Sequence, residues 1–438
     1  MNELQIGLLI VVITCAVLFS GFPIAWGLAL VAIGFLVVFK GPASLATVAT
    51  QFMDELNSFA MVTIPLFVLL GAAVGVSAAG KDIYNSLYRW LARVPGGLII
   101  ANILACGMFS AVCGSSPATA AAIGKAGVPE MIKRGVPPAL ATGAICAGGT
   151  LGILIPPSIT MILYGLATDT SIGRLFLSGV IPGVLLVILF SLYAWLATLA
   201  TSREAPVVHE HFTLKQRMEG LVRVGPFLAI MIAIAYFMYG GVATPSEIAA
   251  IAAFLALVLV AAIYKAWRLR DMWLIFRDTV RESSMILMII AAAALFSYMM
   301  SLLYVSQTAA EWLVGLSLNK WVLMFVINVF LLVLGCFLPP VAIILMLMPI
   351  LTPVLEANNF DLIWFAVILT INMEVGLITP PVGLNLYVLR GVAPDVPLPV
   401  ILRGSMPYVF IMLGFMVALS IFPEMATWLP DHLMGKGR

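Results

Sequence analysis

Charged side chains are scarce in this sequence, and their scarcity sets the class of protein. Of its 438 residues, only 10% are Asp, Glu, Lys or Arg, whereas 63% are hydrophobic. A soluble globular chain is about half apolar and about a quarter charged, so the composition predicts a polytopic, all-helical membrane protein instead. The formal net charge of +2 gives no reason to expect nucleic-acid binding, because the charges are confined to a few loops.

Residue sets for metal, redox or hydrolytic chemistry are also missing. The three histidines lie in polar segments, and the five cysteines lie in apolar stretches without CxxC spacing. We interpret those cysteines as small buried hydrophobic residues. The sequence has no GxxxxGK[ST] nucleotide-binding loop and no Ser, His and Asp set in an apolar segment. We therefore expect neither an enzyme nor a bound cofactor, and we do not expect ATP to drive the protein.

Long apolar runs fill most of the chain. The first run begins at Leu4 without a basic leader and continues to Phe39, which is too long for a cleaved signal peptide and long enough for two membrane helices. Further predicted spans are 59–78, 97–113, 139–165, 175–200, 226–243, 247–265, 284–305, 321–338, 361–376 and 404–422. Shorter apolar pieces at 114–131, 340–356 and 380–390 are predicted to be re-entrant hairpins or half-helices.

Amphipathic segments and basic blocks indicate how the chain is oriented. Residues 81–94 and 267–282 combine apolar residues at helical spacing with basic ones, so each is predicted to lie in the membrane interface. The loop 203–223 is basic, and a second basic block covers 265–281. Two apolar spans separate these blocks, which places both on one side, and the positive-inside rule makes that side cytoplasmic.

The two halves of the chain share the same Gly and Pro pattern. Residues 152–158 are GILIPPS and residues 376–382 are GLITPPV, so Pro156 matches Pro380 at an offset of 224 residues. The first hairpin and its exit are basic and the matching stretch of the second half is acidic, with Lys125, Lys133 and Arg134 against Glu356 and Asp361. Opposite charge predicts an inverted-topology repeat, which secondary transporters use to build one site from broken helices of both halves.

Polar residues cluster where the first half breaks its helix, in CGSSPAT at 113–119. In hydrocarbon, freed backbone groups persist only where protein, water or a ligand satisfies them. Unwound carbonyl groups with Ser and Thr hydroxyls suit Na⁺, and the N-termini of half-helices suit a carboxylate. The alternative interpretation is that these small residues only allow close packing of helices.

The second half offers a matching set of polar groups. Gly335 precedes Pro339-Pro340, and Pro380-Pro381 is predicted to free the carbonyl groups of 376–379 beside the Thr379 hydroxyl. Asn385 is predicted to face the same cavity or the packing interface.

Glu374 is the one carboxylate well inside an apolar run of the sequence. A charged group at such a place is costly and is by default functional, so Glu374 is a candidate ion or proton ligand. The alternative is a carboxylate satisfied by a polar partner or by water. We slightly favour the alternative, because the matching residue of the first half is Thr150.

Several motifs together resemble one family. They are CGSSPATAAAIG at 113–124, GILIPPS at 152–158, IGRLFLSGVIPG at 172–183, TPSEIAA at 244–250 and NMEVGLITPPVGLNLYV at 372–388. With these motifs, in family order across most of the chain, the sequence resembles the large membrane subunit of a tripartite ATP-independent periplasmic (TRAP) transporter of the C4-dicarboxylate type.

The resemblance implies an all-α integral membrane fold, namely an inverted-repeat, elevator-type secondary transporter with two re-entrant helical hairpins and interfacial arm helices. It also implies symport with Na⁺ as the coupling ion, in the inner membrane of a bacterium. The implied partners are a small four-helix membrane subunit and a periplasmic binding protein that delivers the substrate.

The same resemblance suggests a division of the chain. Its parts are N-terminal scaffold helices (1–58), a first repeat (59–202), a cytoplasmic loop (203–225), linking scaffold helices with a second arm helix (226–283), a second inverted repeat (284–403), and a C-terminal helix and tail (404–438). Residues 114–131 and 340–356 are the expected hairpins of the two repeats.

Two Na⁺ sites and a substrate site are implied by the family. The first Na⁺ site takes backbone and hydroxyl oxygens around Cys113, Ser116, Gly152, Ile155 and Pro157, and the second takes Gly335, Gly376, Thr379 and Val382. The substrate is expected to contact Ser115, Thr119 and Ser158, with Asn385 as a further candidate. Cys113 stands where the family commonly has serine, so the first site is unchanged if its ligand there is the carbonyl and weaker if it is the hydroxyl.

The predicted function is therefore sodium-coupled uptake of a small carboxylate, with a C4-dicarboxylate as the first choice. A sialic acid or another sugar or organic acid is the alternative substrate. A passive channel is disfavoured, because the sequence shows no rings of one residue type that could line a pore.

Overall fold

The computed structural model describes residues 2–200, 212–315 and 319–435, and this part of the chain is helical, with no strand. Its helices are α1 (Glu3–Phe19), α2 (Ile24–Lys40), α3 (Leu45–Leu56), α4 (Thr63–Val76), α5 (Ala79–Leu91), α6 (Gly97–Cys113), α7 (Ser116–Lys133), α8 (Pro138–Thr150), α9 (Ile159–Thr168), α10 (Ile172–Ala200), α11 (Leu214–Tyr239), α12 (Pro245–Tyr264), α13 (Leu269–Leu302), α14 (Val305–Gly315), α15 (Lys320–Gly335), α16 (Pro340–Ala357), α17 (Leu362–Leu377), α18 (Leu384–Val392), α19 (Leu398–Ile421) and α20 (Glu424–Met434). Short 3₁₀ turns cover Pro42–Ser44, Phe59–Val62 and Leu151–Ile153.

Six helical segments of the described chain are long and apolar enough to cross a membrane: Phe59–Val76, α10, α12, α13, α16 and α19. The span predicted at 139–165 is instead divided into α8 and α9 around the GILIPPS break. The expectation that 340–356 is too interrupted to span is wrong by length and composition, because α16 is continuous for 18 residues. Proline inside a membrane helix is tolerated where surrounding protein satisfies the freed carbonyl.

The hairpins are larger than predicted. In the first half, α6 and α7 are joined by the tight turn at Gly114 and Ser115, so 114–131 is one arm of a helix pair rather than a whole hairpin. In the second half, α15 and α16 form the equivalent pair. We name the turns at 113–116 and 335–340 the first tip and the second tip.

The repeat extends through most of the chain at the level of secondary structure. An offset of 224 residues carries α7 onto α16 with both ends matched. The same offset carries the helices α5 to α10 onto α14 to α19, with ends that differ by three residues at most. It also carries α2 onto α12, and α3 with α4 onto α13. The repeat inferred from the Gly and Pro pattern is thus present, and it begins earlier than predicted.

The arm segments differ from the prediction in two ways. Residues 81–94 do form a helix, α5, but in the repeat it matches α14. Residues 267–282 are not a separate helix, because α13 runs without a break for 34 residues; their counterpart is α3. The predicted loop 203–225 is also shorter, since α11 already begins at Leu214; residues 203–211 lie outside the described chain.

Contacts with α11 and α12 show that the repeat is inverted. At the start of α11, the Arg89 guanidinium of α5 donates to the Gln216 carbonyl (2.5 Å). At the end of α12, the Tyr264 hydroxyl donates to Asp82 of α5 (3.0 Å), so both basic blocks lie on one side, as predicted. The other ends of these two helices, the end of α11 and the start of α12, line a cavity together with α3. Helix α3 therefore lies near the start of α12, whereas 269–280 follows the end of α12. The matching segments α3 and 269–280 thus lie on opposite sides of the membrane.

Helix α17 forms the centre of the second half. Its residues from Ile363 to Leu377 are all buried, which fits a helix that is apolar on every face. The polar residues in it, among them Asn372 and Glu374, are therefore held inside the protein. Close packing of small residues occurs in the first half as well, where a Cβ on Gly143 of α8 would lie 2.1 Å from the Gly404 carbonyl oxygen of α19.

Candidate functional site

The first tip is a sharp turn that only glycine suits. Gly114 has φ of +63°, a left-handed conformation that ends α6 and that side chains with a Cβ rarely adopt. Ser115 then turns the chain back in extended conformation, and α7 starts at Ser116. The first amides of α7 have no earlier turn of helix to bond, so they point towards the tip as potential donors.

The GILIPPS break packs directly against the first tip. After the 3₁₀ turn Leu151–Ile153, the chain passes through a cis Pro156-Pro157 bond, and α9 begins behind Ser158. A Cβ on Gly152 would lie 2.8 Å from the Ser115 carbonyl oxygen, and one on Gly114 would lie 2.9 Å from the Pro157 carbonyl oxygen. These distances place the break against the tip with no room for larger residues.

The structure brings together most of the first predicted Na⁺ set. Cys113 and Ser116 belong to the tip, and Gly152 and Pro157 touch it through the approaches described above. The Ile155 side chain packs against Gly183 of α10, so only the backbone oxygen of Ile155 is a candidate for this set. The Cys113 carbonyl oxygen would lie 2.8 Å from a Cβ on Gly71 of α4, so the tip also touches the preceding helix.

The second half repeats this arrangement with different partners. A Cβ on Gly376 would lie 2.5 Å from the Gly335 carbonyl oxygen, and the Val382 amide donates to the Cys336 carbonyl (3.1 Å). The Thr379 hydroxyl donates to the Val375 carbonyl (2.8 Å). Because a hydroxyl keeps two acceptor lone pairs when it donates, Thr379 can still offer its oxygen to a cation.

Cys336 joins the second predicted Na⁺ set although the sequence did not single it out. Its thiol lies 3.2 Å from the Thr379 hydroxyl oxygen, and its carbonyl holds Val382. One feature of the sequence could have indicated Cys336: it lies between Gly335 and Pro339-Pro340, so it belongs to the turn that these residues form.

The predicted substrate residues lie around the first tip, and three of them are fully buried. Thr119, Ser158 and Asn385 have no exposed surface, whereas Ser115 is half-buried. The Thr119 hydroxyl donates to the Ser115 carbonyl (2.9 Å) and that of Ser158 to the Ile153 carbonyl (2.5 Å). Both hydroxyl hydrogens are used in these bonds. The donors that remain for a carboxylate at the first tip are therefore mainly backbone amides.

Asn385 connects the two halves of the molecule. Its amide nitrogen donates to the Ser116 hydroxyl (2.8 Å) and to the Cys146 carbonyl (3.3 Å). Its Oδ1 is buried and has no hydrogen-bond partner within the described residues. The second half therefore contributes a side chain directly to the first tip, together with one unused acceptor.

Glu374 is completely buried, and neither of its carboxyl oxygens has a hydrogen-bond partner in the described part of the chain. The polar protein partner expected for it is therefore not found there. Its counterpart Thr150 is satisfied by its own helix, donating to the Ala147 carbonyl (2.7 Å). An unpaired charge at such a place is very costly, which favours the neutral acid.

Backbone carbonyl and hydroxyl oxygens converge at both tips. Among residues 2–200, 212–315 and 319–435, no three His, Cys, Asp or Glu side chains lie together as a metal-binding group. The groups that do converge are backbone carbonyls and hydroxyls, which suit a weakly bound monovalent cation better than a transition metal.

A repeat with a broken helix packed on a hairpin tip in each half defines a membrane protein with a secondary-transporter architecture. The YdaH transporter of Alcanivorax borkumensis has a similar fold, with a TM-score of 0.61 over 90% of this chain and 91% of that one. The sequences are only 18% identical, so the likeness concerns the fold.

Residues 11–425 match the family model described as "Tripartite ATP-independent periplasmic transporter, DctM component", and the chain belongs to this family. The C4-dicarboxylate TRAP transporter large permease protein of Pseudomonas aeruginosa is 34% identical, over 91% of this chain and 92% of the relative. The sialic acid TRAP transporter large permease protein of Vibrio cholerae is 28% identical, over 96% and 97%.

Family membership confirms the resemblance found in the motifs. The chain is the large permease component of a tripartite transport system, an inner-membrane protein and not an enzyme. The assignment of particular residues to sodium and substrate stays a prediction.

Proposed function

We propose that this permease takes up a small carboxylate, a C4-dicarboxylate in the first place, by sodium symport and an elevator mechanism. The observation that carries the proposal is the repeated contact of a Gly-Pro-Pro break with a hairpin tip, Gly152 on Ser115 and Gly376 on Gly335. Each contact gathers carbonyl and hydroxyl oxygens without a charged ligand, which is the chemistry of a transient Na⁺ site.

The carboxylate is proposed to bind at the first tip. Helices α7 and α9 start beside it, at Ser116 and Ile159, and helix N-termini favour anions. The Pseudomonas relative named as a C4-dicarboxylate permease supports this class of substrate.

The elevator motion is proposed to move the hairpins and broken helices against α1 to α4 and α11 to α13. The contact of the first tip with Gly71 of α4 lies on the boundary between these groups. The proposed partners are the small four-helix subunit, beside the outer scaffold helices, and a periplasmic binding protein that delivers the acid.

Sialic acid or another sugar or organic acid is the second candidate, because the Vibrio relative named for sialic acid matches almost the whole chain. The two candidates share the mechanism and differ in the acid. A ligand screen on the cognate binding protein separates them, since that protein selects what is delivered.

The coupling is tested by uptake of labelled succinate into proteoliposomes that contain both membrane subunits, with the binding protein outside. We expect accumulation only with an inward Na⁺ gradient. Accumulation that persists with equal Na⁺ on both sides would refute sodium coupling. Flux without the binding protein would instead indicate a channel.

A further inference from the structure

A charged cavity lies between α7 and the segment that joins α4 to α5, and none of the predicted Na⁺ or substrate residues lines it. Its volume is about 710 Å³. One wall is formed by the end of α4 and the start of α5, from Gly75 to Asn85, and the other by the face of α7 that carries Ala118, Ala122 and Lys125. We name it the inner cavity.

The inner cavity leads from the first tip towards the cytoplasm. Ala118 is the third residue of α7, next to the tip, and Pro129 is three turns further on. On the opposite wall, Gly71 touches the Cys113 carbonyl at the tip, and Gly75 lines the cavity one turn later. The start of α5 forms part of the cavity wall, and α5 contacts the start of α11 through Arg89, at the basic end that the positive-inside rule assigns to the cytoplasm.

Two lysines line this cavity on opposite walls, Lys81 of α5 and Lys125 of α7. Both side chains are exposed, and neither makes a hydrogen bond or ion pair with the described residues. The one acidic residue in the lining, Glu130, is already paired with the Arg134 guanidinium at 2.6 Å. The cavity therefore has an unbalanced positive charge.

The cavity between α3 and the end of α11 is lined by acidic residues instead of basic ones. It has a volume of about 570 Å³, and its lining contains Asp54, Glu55 and Asp169 and no Lys or Arg. Burial raises the pKa of the Glu55 carboxyl. The charges of the two linings therefore favour an anion in the inner cavity over an anion in this acidic cavity.

We propose that Lys81 and Lys125 form a release site for the anionic substrate, where its carboxylates bind after leaving the first tip and before entering the cytoplasm. This inference rests on the proposed uptake of a carboxylate and adds to it a site that neither tip contains. One wall of the cavity includes the end of α4, at Gly75 and Val76, which belongs to the proposed scaffold, and the other wall belongs to α7, which carries the tip. The site thus spans the boundary that the elevator motion would change.

Protection from an amine-reactive reagent tests the site without transport. The full chain is reconstituted with its small subunit and labelled in succinate, or in neutral succinamide with chloride added to equal ionic strength. Lys133, exposed in the last turn of α7 and outside the cavity lining, serves as the internal control. We expect succinate to slow labelling of Lys81 and Lys125 several-fold but not that of Lys133. Equal labelling rates with both compounds, or equal protection of all three lysines, would overturn the proposal.

Exchange kinetics supply the second test. In proteoliposomes loaded with succinate, Lys81→Gln with Lys125→Gln should raise the internal concentration for half-maximal exchange about tenfold. Lys133→Gln should leave that concentration unchanged, and the double Arg variant should restore it because it keeps both charges. An unchanged internal half-saturation in the Gln variant refutes the release site. If the proposed function itself is wrong, the unaltered protein shows no succinate exchange. The labelling experiment then still decides whether Lys81 and Lys125 bind carboxylates.

Discussion

The two hairpin tips have equivalent positions in the repeat but different hydrogen-bonding chemistry. The first tip contains serines, and both α7 and α9 begin beside it. The second tip, 335–340, has Cys336 instead of serine, and α16 begins beside it. Both halves thus supply carbonyl and hydroxyl oxygens that suit a cation, and the first half adds serines beside two helix N-termini, which suit an anion. The two tips therefore share one backbone arrangement but present different polar groups.

The tightest contact between a break and a tip should be the most sensitive to substitution. In Gly376→Ala the added methyl would lie 2.5 Å from backbone atoms of Gly335, and backbone cannot move aside as a side chain can. Overpacking costs about 1–3 kcal/mol, so we expect a loss of thermal stability in detergent and at least about a tenfold loss of uptake.

Gly414→Ala is the matched control, because nothing lies within 4 Å of its position. Gly152→Ala should fall between the two, since its contact with Ser115 is 2.8 Å. If Gly376→Ala and Gly414→Ala behave alike, the second break is not packed as described.

Removing the Thr379 hydroxyl should affect sodium and not the acid. We expect Thr379→Val to raise the Na⁺ concentration for half-maximal uptake about tenfold, the equivalent of about 1.4 kcal/mol. Thr379→Ser should retain the affinity. Thr142→Val is the control, because Thr142 donates within its own helix in the same way, to the Pro138 carbonyl at 2.7 Å. An unchanged Na⁺ dependence would exclude Thr379 as a side-chain ligand.

The contact between the halves should affect the binding of the acid more than that of sodium. Asn385→Ala removes the hydrogen bond to Ser116, and the loss of one such bond costs about 0.5–1.5 kcal/mol. We therefore expect the KM for the delivered acid to rise a few-fold, with a smaller change in Na⁺ affinity. A change confined to the Na⁺ affinity would show that Asn385 supports the first Na⁺ site and not the substrate site.

The smallest effect is expected at Glu374. A buried carboxyl without a partner is held as the neutral acid, and Glu374→Gln keeps its shape and neutrality. Uptake should stay within about twofold of the unaltered protein and show the same pH profile, whereas Glu374→Lys should abolish it by burying an unpaired charge. Loss of activity in Glu374→Gln together with a changed pH profile would show that the group carries a proton.

The features that could be predicted from the sequence are those that depend on a local pattern of residues. The offset between Pro156 and Pro380 predicted the repeat, and the basic blocks predicted which segments share a side. The sequence did not predict that 269–302 is one helix, because an amphipathic stretch and an apolar stretch differ in composition even when the backbone between them is continuous. It also missed Cys336 and the bond between Asn385 and Ser116, since these depend on contacts between segments 43 and 269 residues apart.

The unbroken α13 makes the two membrane surfaces mechanically unequal. At 1.5 Å per residue its 34 residues form a rod of about 50 Å, whereas its counterpart is jointed at the 3₁₀ turn Phe59–Val62 between α3 and α4. The basic end of α13 is therefore covalently continuous, through one helix, with Met299 and Met300, which are buried. On the other surface α3 is joined to α4 only through that turn, so the two equivalent segments are connected to the protein interior in different ways.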